Sequence, residues 1–316
     1  MNIAFAGFRH GHIFDLYNKA LQNANIIGCF EEDPEERENV AQSHGIDFNF
    51  SSYDQLLDDE RVEAVAIGDY YGKRGQMVIR ALKKGKHVIC DKPLCTSLEE
   101  LDTIERLSKE NNLKVCLMLD LRYMPQVKKA KEIIESGELG TVHIVSFTGQ
   151  HPLNYGTRPG WYFEKGKHGG TINDIAIHGI DVVRHITGKD LTDINFARTW
   201  NAFADKEPDF KDCGQFNVQF GSMTVSADVS YAAPSFGLPT YWDFYFWGTK
   251  GMIKFNIKDT NLYLYNGEEN VIPCDAPSNN YMTDFIDECN GKDTIMCSED
   301  VLKSQRQVLT IQKASV

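Results

Sequence analysis

Short apolar runs alternate with longer amphipathic stretches through the first third of the chain. The runs 3–7 (IAFAG), 26–30 (IIGCF), 64–68 (AVAIG), 87–90 (HVIC) and 114–119 (KVCLML) hold almost no polar positions, which predicts strands covered on both faces. Between them, 14–23, 34–44, 75–84 and 97–111 space their apolar residues as amphipathic helices do, and Ser97 with Glu100 three residues on is a capping-box pattern. Apolar strands joined by helical crossovers predict a parallel doubly wound sheet.

The rhythm changes after Leu119. A helix is predicted over 126–137, a strand over 141–147, a loop-rich stretch over 148–170 and a helix over 172–187. Strand-like segments follow at 216–220, 223–231, 241–248, 252–257 and 261–265, and a closing helix at 299–314. Turns at Gly221-Ser222 and over 248–251 predict antiparallel hairpins. The expected fold is α/β: a Rossmann-type doubly wound parallel sheet in residues 1–120, then an α+β domain with a large open, mostly antiparallel sheet in 121–316.

Composition narrows the function. The net charge of −12 comes without any dense run of Lys and Arg, which argues against nucleic acid and anionic membrane surfaces as partners. No stretch approaches the roughly 18 apolar residues of a membrane span, and the N-terminus lacks the basic start of a signal peptide. Eight cysteines form no Cys-x-x-Cys pair, which fits free thiols in a reducing cytoplasm rather than disulfides or zinc. No metal is expected; His10-x-His12 alone is thin support for one.

The first strand runs into AGFRHGHIF, where a dinucleotide site wants Gly-x-Gly-x-x-Gly. Gly7 keeps the first position and Gly11 lies nearby, but Arg9 and His12 replace the other two glycines, and this motif taken alone weighs against a dinucleotide. The second strand reverses the balance. It ends in Glu31, 24 residues after Gly7, where a carboxylate can accept adenosine ribose hydroxyls; Glu32 and Asp33 would repel a 2′-phosphate, so NAD is expected over NADP. The same acidic cluster also suits the N-terminus of the next helix, with Pro34 at its first position.

In 169–188, at about 100° per residue, Ile172, Ile175, Ala176, Gly179, Ile180, Val183 and Ile186 share one face, while Asp174, His178, Asp181 and His185 share the other. Ile177 and Val182 flank the polar stripe, as in the wall of a cleft. Its plain alternative is a solvated face of weak Asp–His pairs. His178 is the group in it that titrates near neutrality, with Asp174 one turn away.

Taken together these residues resemble the Gfo/Idh/MocA family of NAD(P)-dependent oxidoreductases. CDKPL (90–94) is similar to the family's Glu-Lys-Pro motif with Asp91 for the glutamate, and 169–181 fits its Gly-Gly-x-x-x-Asp-x-x-x-His-x-x-Asp element at every fixed position. LRYMPQVKKAKEIIESGELGTV (121–142) and GTKG (248–251) resemble its second-domain opening and a recurrent turn. The resemblance implies hydride transfer between NAD(H) and a secondary alcohol of a sugar, cyclitol or related polyol, in a homodimer or homotetramer joined through the C-terminal sheet.

It further implies His178 as general base, Lys92 stabilising the developing alkoxide, and Asp174 binding substrate and supporting His178. The cofactor would meet Gly7, Phe8, Arg9, His10, Gly11, His12, Glu31, Tyr71, Arg74, Asp91, Lys92 and Pro93. The Lys92–Pro93 bond would be cis, as in some relatives. Substrate would meet Lys92, Arg122, Tyr123, His151, Arg158, Trp161, Asp174 and His178, with Gln150, Asn154, Tyr155 and Tyr162 in the same polar loop. Arg9, His12, Tyr71, Arg74 and Asp91 depart from the family pattern; Arg9 either reaches a phosphate or weakens binding by its bulk, and retained NAD binding is expected. Two alternatives stay open: an NAD-retaining, glycoside-cleaving enzyme that oxidises transiently, and a non-catalytic dinucleotide-binding sensor or regulator of the same fold.

Overall fold

Strand β1 (Asn2–Ala6) lies between β2 (Asn25–Phe30) and β3 (Ala64–Ile67), and β4 (His87–Cys90) and β5 (Val115–Leu117) complete a five-stranded sheet in the order β2-β1-β3-β4-β5. Every pairing is parallel. Side chains on both faces are buried, as the unbroken apolar runs require. The computed structural model describes residues 1–234, 238, 241–275 and 279–316. This sheet belongs to a first compact unit, Met1–Met118 with Pro159–Gly169 and Asn279–Gln305.

The helices of this unit are α1 (His12–Asn23), α2 (Pro34–His44), α3 (Tyr53–Asp58), α4 (Tyr71–Lys83) and α5 (Leu98–Glu110). Asp33 caps α2 by accepting the Glu35 and Glu36 N–H groups, Pro34 opens it, and Gly45 ends it in the left-handed conformation. Ser97 accepts the Glu100 N–H at the start of α5, but the Glu100 carboxylate turns to Gln76, so only half of the capping box forms. α4 starts four residues before the expected Gly75, because its first turn carries the polar pair Lys73 and Arg74. The chain departs to opposite sides of the sheet after β1 and β3, and the crevice at their carboxyl ends is where open α/β sheets hold ligands.

The second unit is Leu119–Arg158, Gly170–Ser278 and Arg306–Val316. It opens with a single 3-10 turn, Asp120–Tyr123, and α6 (Pro125–Glu135). Its strands are β6 (Val142–Gln150), β7 (Asp193–Trp200), β8 (Cys213–Phe220), β9 (Met223–Ser230), β10 (Trp242–Gly248), β11 (Met252–Asn256), β12 (Asn261–Tyr265) and β13 (Glu269–Pro273). They form an eight-stranded sheet, β13-β12-β11-β10-β6-β9-β8-β7, in which only β6 and β9 run parallel. Trp242, Phe244 and Phe246 alternate inward with Asp243, Tyr245 and Trp247 outward, the pleat of a sheet covered on one face.

The covering helix is α7 (Ile177–Thr187), and Gly179 allows its close approach: a Cβ there would lie 2.1 Å from the Phe147 ring on β6. One wide π turn, Ile172–Ala176, precedes α7 where a straight helix was expected. Two further helices, α8 (Tyr281–Cys289) and α9 (Ser298–Ala314), close the chain. The sequence pattern missed α3, α8 and the edge strands β7 and β13. Both edge strands mix polar and apolar residues without a buried face.

Candidate functional site

In the first unit the loops after β1, β2, β3 and β4 carry the expected cofactor residues. Gly7 takes φ +80, and a Cβ on it would lie 2.6 Å from that of Asp69, so glycine is required there. The Phe8 N–H donates to Glu31 at 2.6 Å and the Asp33 N–H at 2.9 Å, one to each carboxylate oxygen. Burial pushes the Glu31 carboxyl up from its usual range; Asp69 adds to this, while the two N–H groups and Arg9 oppose it. No side chain caps α1 at Gly11, and a Cβ added there would meet nothing.

Arg9 lies among the acids rather than away from them. Its Nε is 3.4 Å from Glu31 and 3.7 Å from Asp69, its Nη2 is 3.9 Å from Asp33, and its guanidinium sits 5.4 Å from the centre of the Tyr70 ring. Its buried Nε nevertheless makes no hydrogen bond. The side chain is 19% exposed, so its guanidinium offers a charged donor to a phosphate or hydroxyl oxygen, and the loop fits such a ligand despite its missing glycines. Trp161, whose segment belongs to this unit, donates its Nε1–H to the Arg9 carbonyl at 3.1 Å.

Asp91 is the hub of a buried network. Arg74 Nη2 donates to it at 2.6 Å, His10 Nδ1 lies 2.5 Å away and His12 Nδ1 3.1 Å away. Burial alone would raise the Asp91 carboxyl, but Arg74, then His10 and His12, hold it well below the usual carboxylate range. Burial lowers His10 to about 4 against the pull of Asp91. His10 is therefore neutral near pH 7, and Arg74 is the cation that balances Asp91. His10, His12 and Asp91 stand close enough to share a metal ion, yet Arg74 already supplies the positive charge that an ion would bring.

Arg74, fully buried, also donates to the carbonyls of Asp69, Asp91, Lys92 and Pro93. It thereby pins the backbone around the cis Lys92–Pro93 peptide. Lys92 is almost completely buried. On the other side of His10, the hydroxyls of Tyr162 and Tyr71 approach Nε2 at 3.0 and 3.1 Å and each other at 2.9 Å.

In the second unit Asp174, His178 and Asp181 are all buried, so the polar stripe is not a solvated face. The His178 ring stands edge-on to Trp242, centroids 5.8 Å apart, and its Nδ1 is 3.6 Å from Asp120. The Tyr231 hydroxyl donates to Asp174. His151 Nδ1 lies 2.6 Å from the Tyr241 hydroxyl, which is pushed up from its ordinary value by burial, then by Asp174 and Asp120.

Arg122 makes a buried bidentate pair with Asp181, and Arg158 donates to the Leu153 and Pro152 carbonyls. Tyr123 is buried, whereas Asn154 and Tyr155 are exposed. Asp120, Tyr231, Tyr241 and Trp242 are the site residues that sequence reasoning missed. The only trace of Asp120 was its place two residues before Arg122.

Residues 1–119 match the family model described as oxidoreductase family, NAD-binding Rossmann fold, and 127–254 match the GFO/IDH/MocA C-terminal domain. The levoglucosan dehydrogenase of Pseudarthrobacter phenanthrenivorans is 31% identical over 50% of this chain and 42% of its own length. The myo-inositol 2-dehydrogenase of Thermotoga maritima is 24% identical over 56% of this chain and 51% of its own. The chain thus spans about half the length of the curated relatives it matches. A solved levoglucosan dehydrogenase in complex with NADH and L-sorbose superposes with TM-score 0.82 at 21% identity, covering 99% of this chain and 95% of that one.

Proposed function

Because the chain belongs to the Gfo/Idh/MocA oxidoreductase family, we propose that it transfers hydride between NAD(H) and a secondary alcohol of a sugar, cyclitol or related polyol. The observation that carries this reading is His178: a titratable base buried against Trp242, with Asp120 on its Nδ1, in the same unit as Asp174 and two tyrosine hydroxyls. His178 takes the hydroxyl proton, and Asp174 holds substrate through its carboxylate. Lys92 stabilises the negative charge that grows on the reacting oxygen. The bound nicotinamide supplies the hydride acceptor.

In the first unit Gly7, Phe8, Arg9, Gly11 and Glu31 hold the dinucleotide. Glu31, Glu32 and Asp33 favour NAD over NADP, because a 2′-phosphate would meet three carboxylates and one guanidinium. Residues 1–120 then serve chiefly the cofactor and 121–316 chiefly the substrate, although 159–169 and 279–305 pack with the first unit. Subunits associate through the open sheet face, where Ile144, Phe196, Trp247 and Val271 stand exposed. Among the described residues no helix is long and apolar enough to cross a membrane, and all eight cysteines are free, in keeping with a cytoplasmic setting.

His178→Ala tests the assignment. Turnover of the best polyol substrate should fall by roughly 10²–10⁴-fold, while the NADH dissociation constant stays within a factor of two. Turnover within tenfold of the parent would transfer the base role to another residue.

A further inference from the structure

We infer that Asp120 is the positioning residue for His178, and that the buried Arg122–Asp181 pair sets the distance between them. This rests on the proposed role of His178. Asp120 and Arg122 lie two apart on one 3-10 turn, and His178 and Asp181 lie three apart on one face of α7. The two elements are therefore joined by two rungs, Arg122–Asp181 and Asp120–His178.

The first rung is rigid. Arg122 Nη2 meets Asp181 Oδ1 at 2.5 Å and Nε meets Oδ2 at 3.0 Å, both side chains being only 1% exposed. A bidentate fork fixes the rotation of two groups as well as their separation, which a single contact cannot do. It leaves Asp120 Oδ1 at 3.6 Å from His178 Nδ1, beyond a hydrogen bond and within ion-pair range. Such contacts commonly tighten when the working complex forms.

The ring itself has little room to turn. Trp242, edge-on to it, is stacked in turn on Phe147 and Phe244. With Nδ1 toward Asp120, the proposed role assigns the substrate's proton to Nε2. Asp174, the carboxylate that helical spacing suggests for this task, accepts the Tyr231 hydroxyl and sits in the wide π turn rather than on α7. The titratable groups linked to Asp120 and Asp174 by contact or charge are Tyr231, Tyr241 and, through Tyr241, His151.

The test compares Asp120→Ala, Asp120→Asn and Asp174→Asn by ring ¹⁵N spectra of His178, assigned by its loss in His178→Gln, together with polyol kinetics. Asp120→Ala should lower kcat by about 10- to 100-fold with KM and NADH binding within twofold, a fraction of the roughly 10²–10⁴-fold that a positioned general base supplies. It should also mix the two ring tautomers of His178 and shift its titration midpoint down. Asp120→Asn keeps the acceptor and loses the charge, so it should restore the tautomer but not the midpoint. Wild-type tautomer and midpoint in Asp120→Ala, or the same disturbance in Asp174→Asn alone, would overturn the assignment. The spectra need no turnover: a His178 that answers to Asp120 in a protein oxidising no polyol would sink the proposed function and leave the positioning intact.

Discussion

Arg9 stands where a glycine would let a pyrophosphate approach the backbone, and its guanidinium instead lies across the carboxylate expected to hold the ribose. A phosphate or hydroxyl oxygen of a bound dinucleotide would meet this partly exposed guanidinium, so Arg9→Ala should weaken NADH binding by roughly tenfold, the worth of one charge-assisted bond. Isothermal calorimetry measures this, and an unchanged affinity would remove Arg9 from the site. His10 makes a second prediction. Its folded value of about 4 lies below the ordinary 6.5, so its contribution to stability is complete above pH 6.5 and is lost as pH falls toward 4. Urea midpoints measured across that window should fall more steeply for the parent than for His10→Gln; parallel curves would show that His10 is not the group titrating.

At the scale of elements, α7 rests on β6 through Gly179. Gly179→Ala places a methyl into the Phe147 ring and should cost about 1–3 kcal/mol, read as a lower melting temperature with NADH affinity unchanged. Elements whose pattern is local were legible in advance. The range of β4 was read without error from its apolar run, and that of α2 from its amphipathic spacing, with the acidic cluster and Pro34 at its start. The wide turn at 172–176 was not, because a helical wheel assumes one uniform rotation per residue and carries no sign of an extra one. Asp120 was missed for a different reason: its meaning lies in a contact 58 residues away, and nothing local distinguishes it from a solvated acid. Arg74 was read as a cofactor contact from a motif position, while its burial and four backbone carbonyl partners become visible only once β3, α4 and the turn after β4 are folded together.

At the scale of the molecule, the uncovered face of the eight-stranded sheet carries exposed apolar side chains. Cross-strand register puts Ile144 beside Trp247 on the uncovered face. If that face joins subunits, Trp247→Glu should shift the sedimenting species toward monomer without altering the fold, and an unchanged sedimentation coefficient would move the interface elsewhere. On the proposed function, this chain binds NAD(H) through a loop lacking two of the usual glycines. The most direct test of this is a titration of the folded protein with NADH and with NADPH, followed by the emission of its four tryptophans, among them Trp161 against the Arg9 carbonyl. Saturable quenching by NADH at lower concentration than by NADPH is the expected result. No binding of either would mean that Arg9 and its acidic partners close the site, contradicting the account.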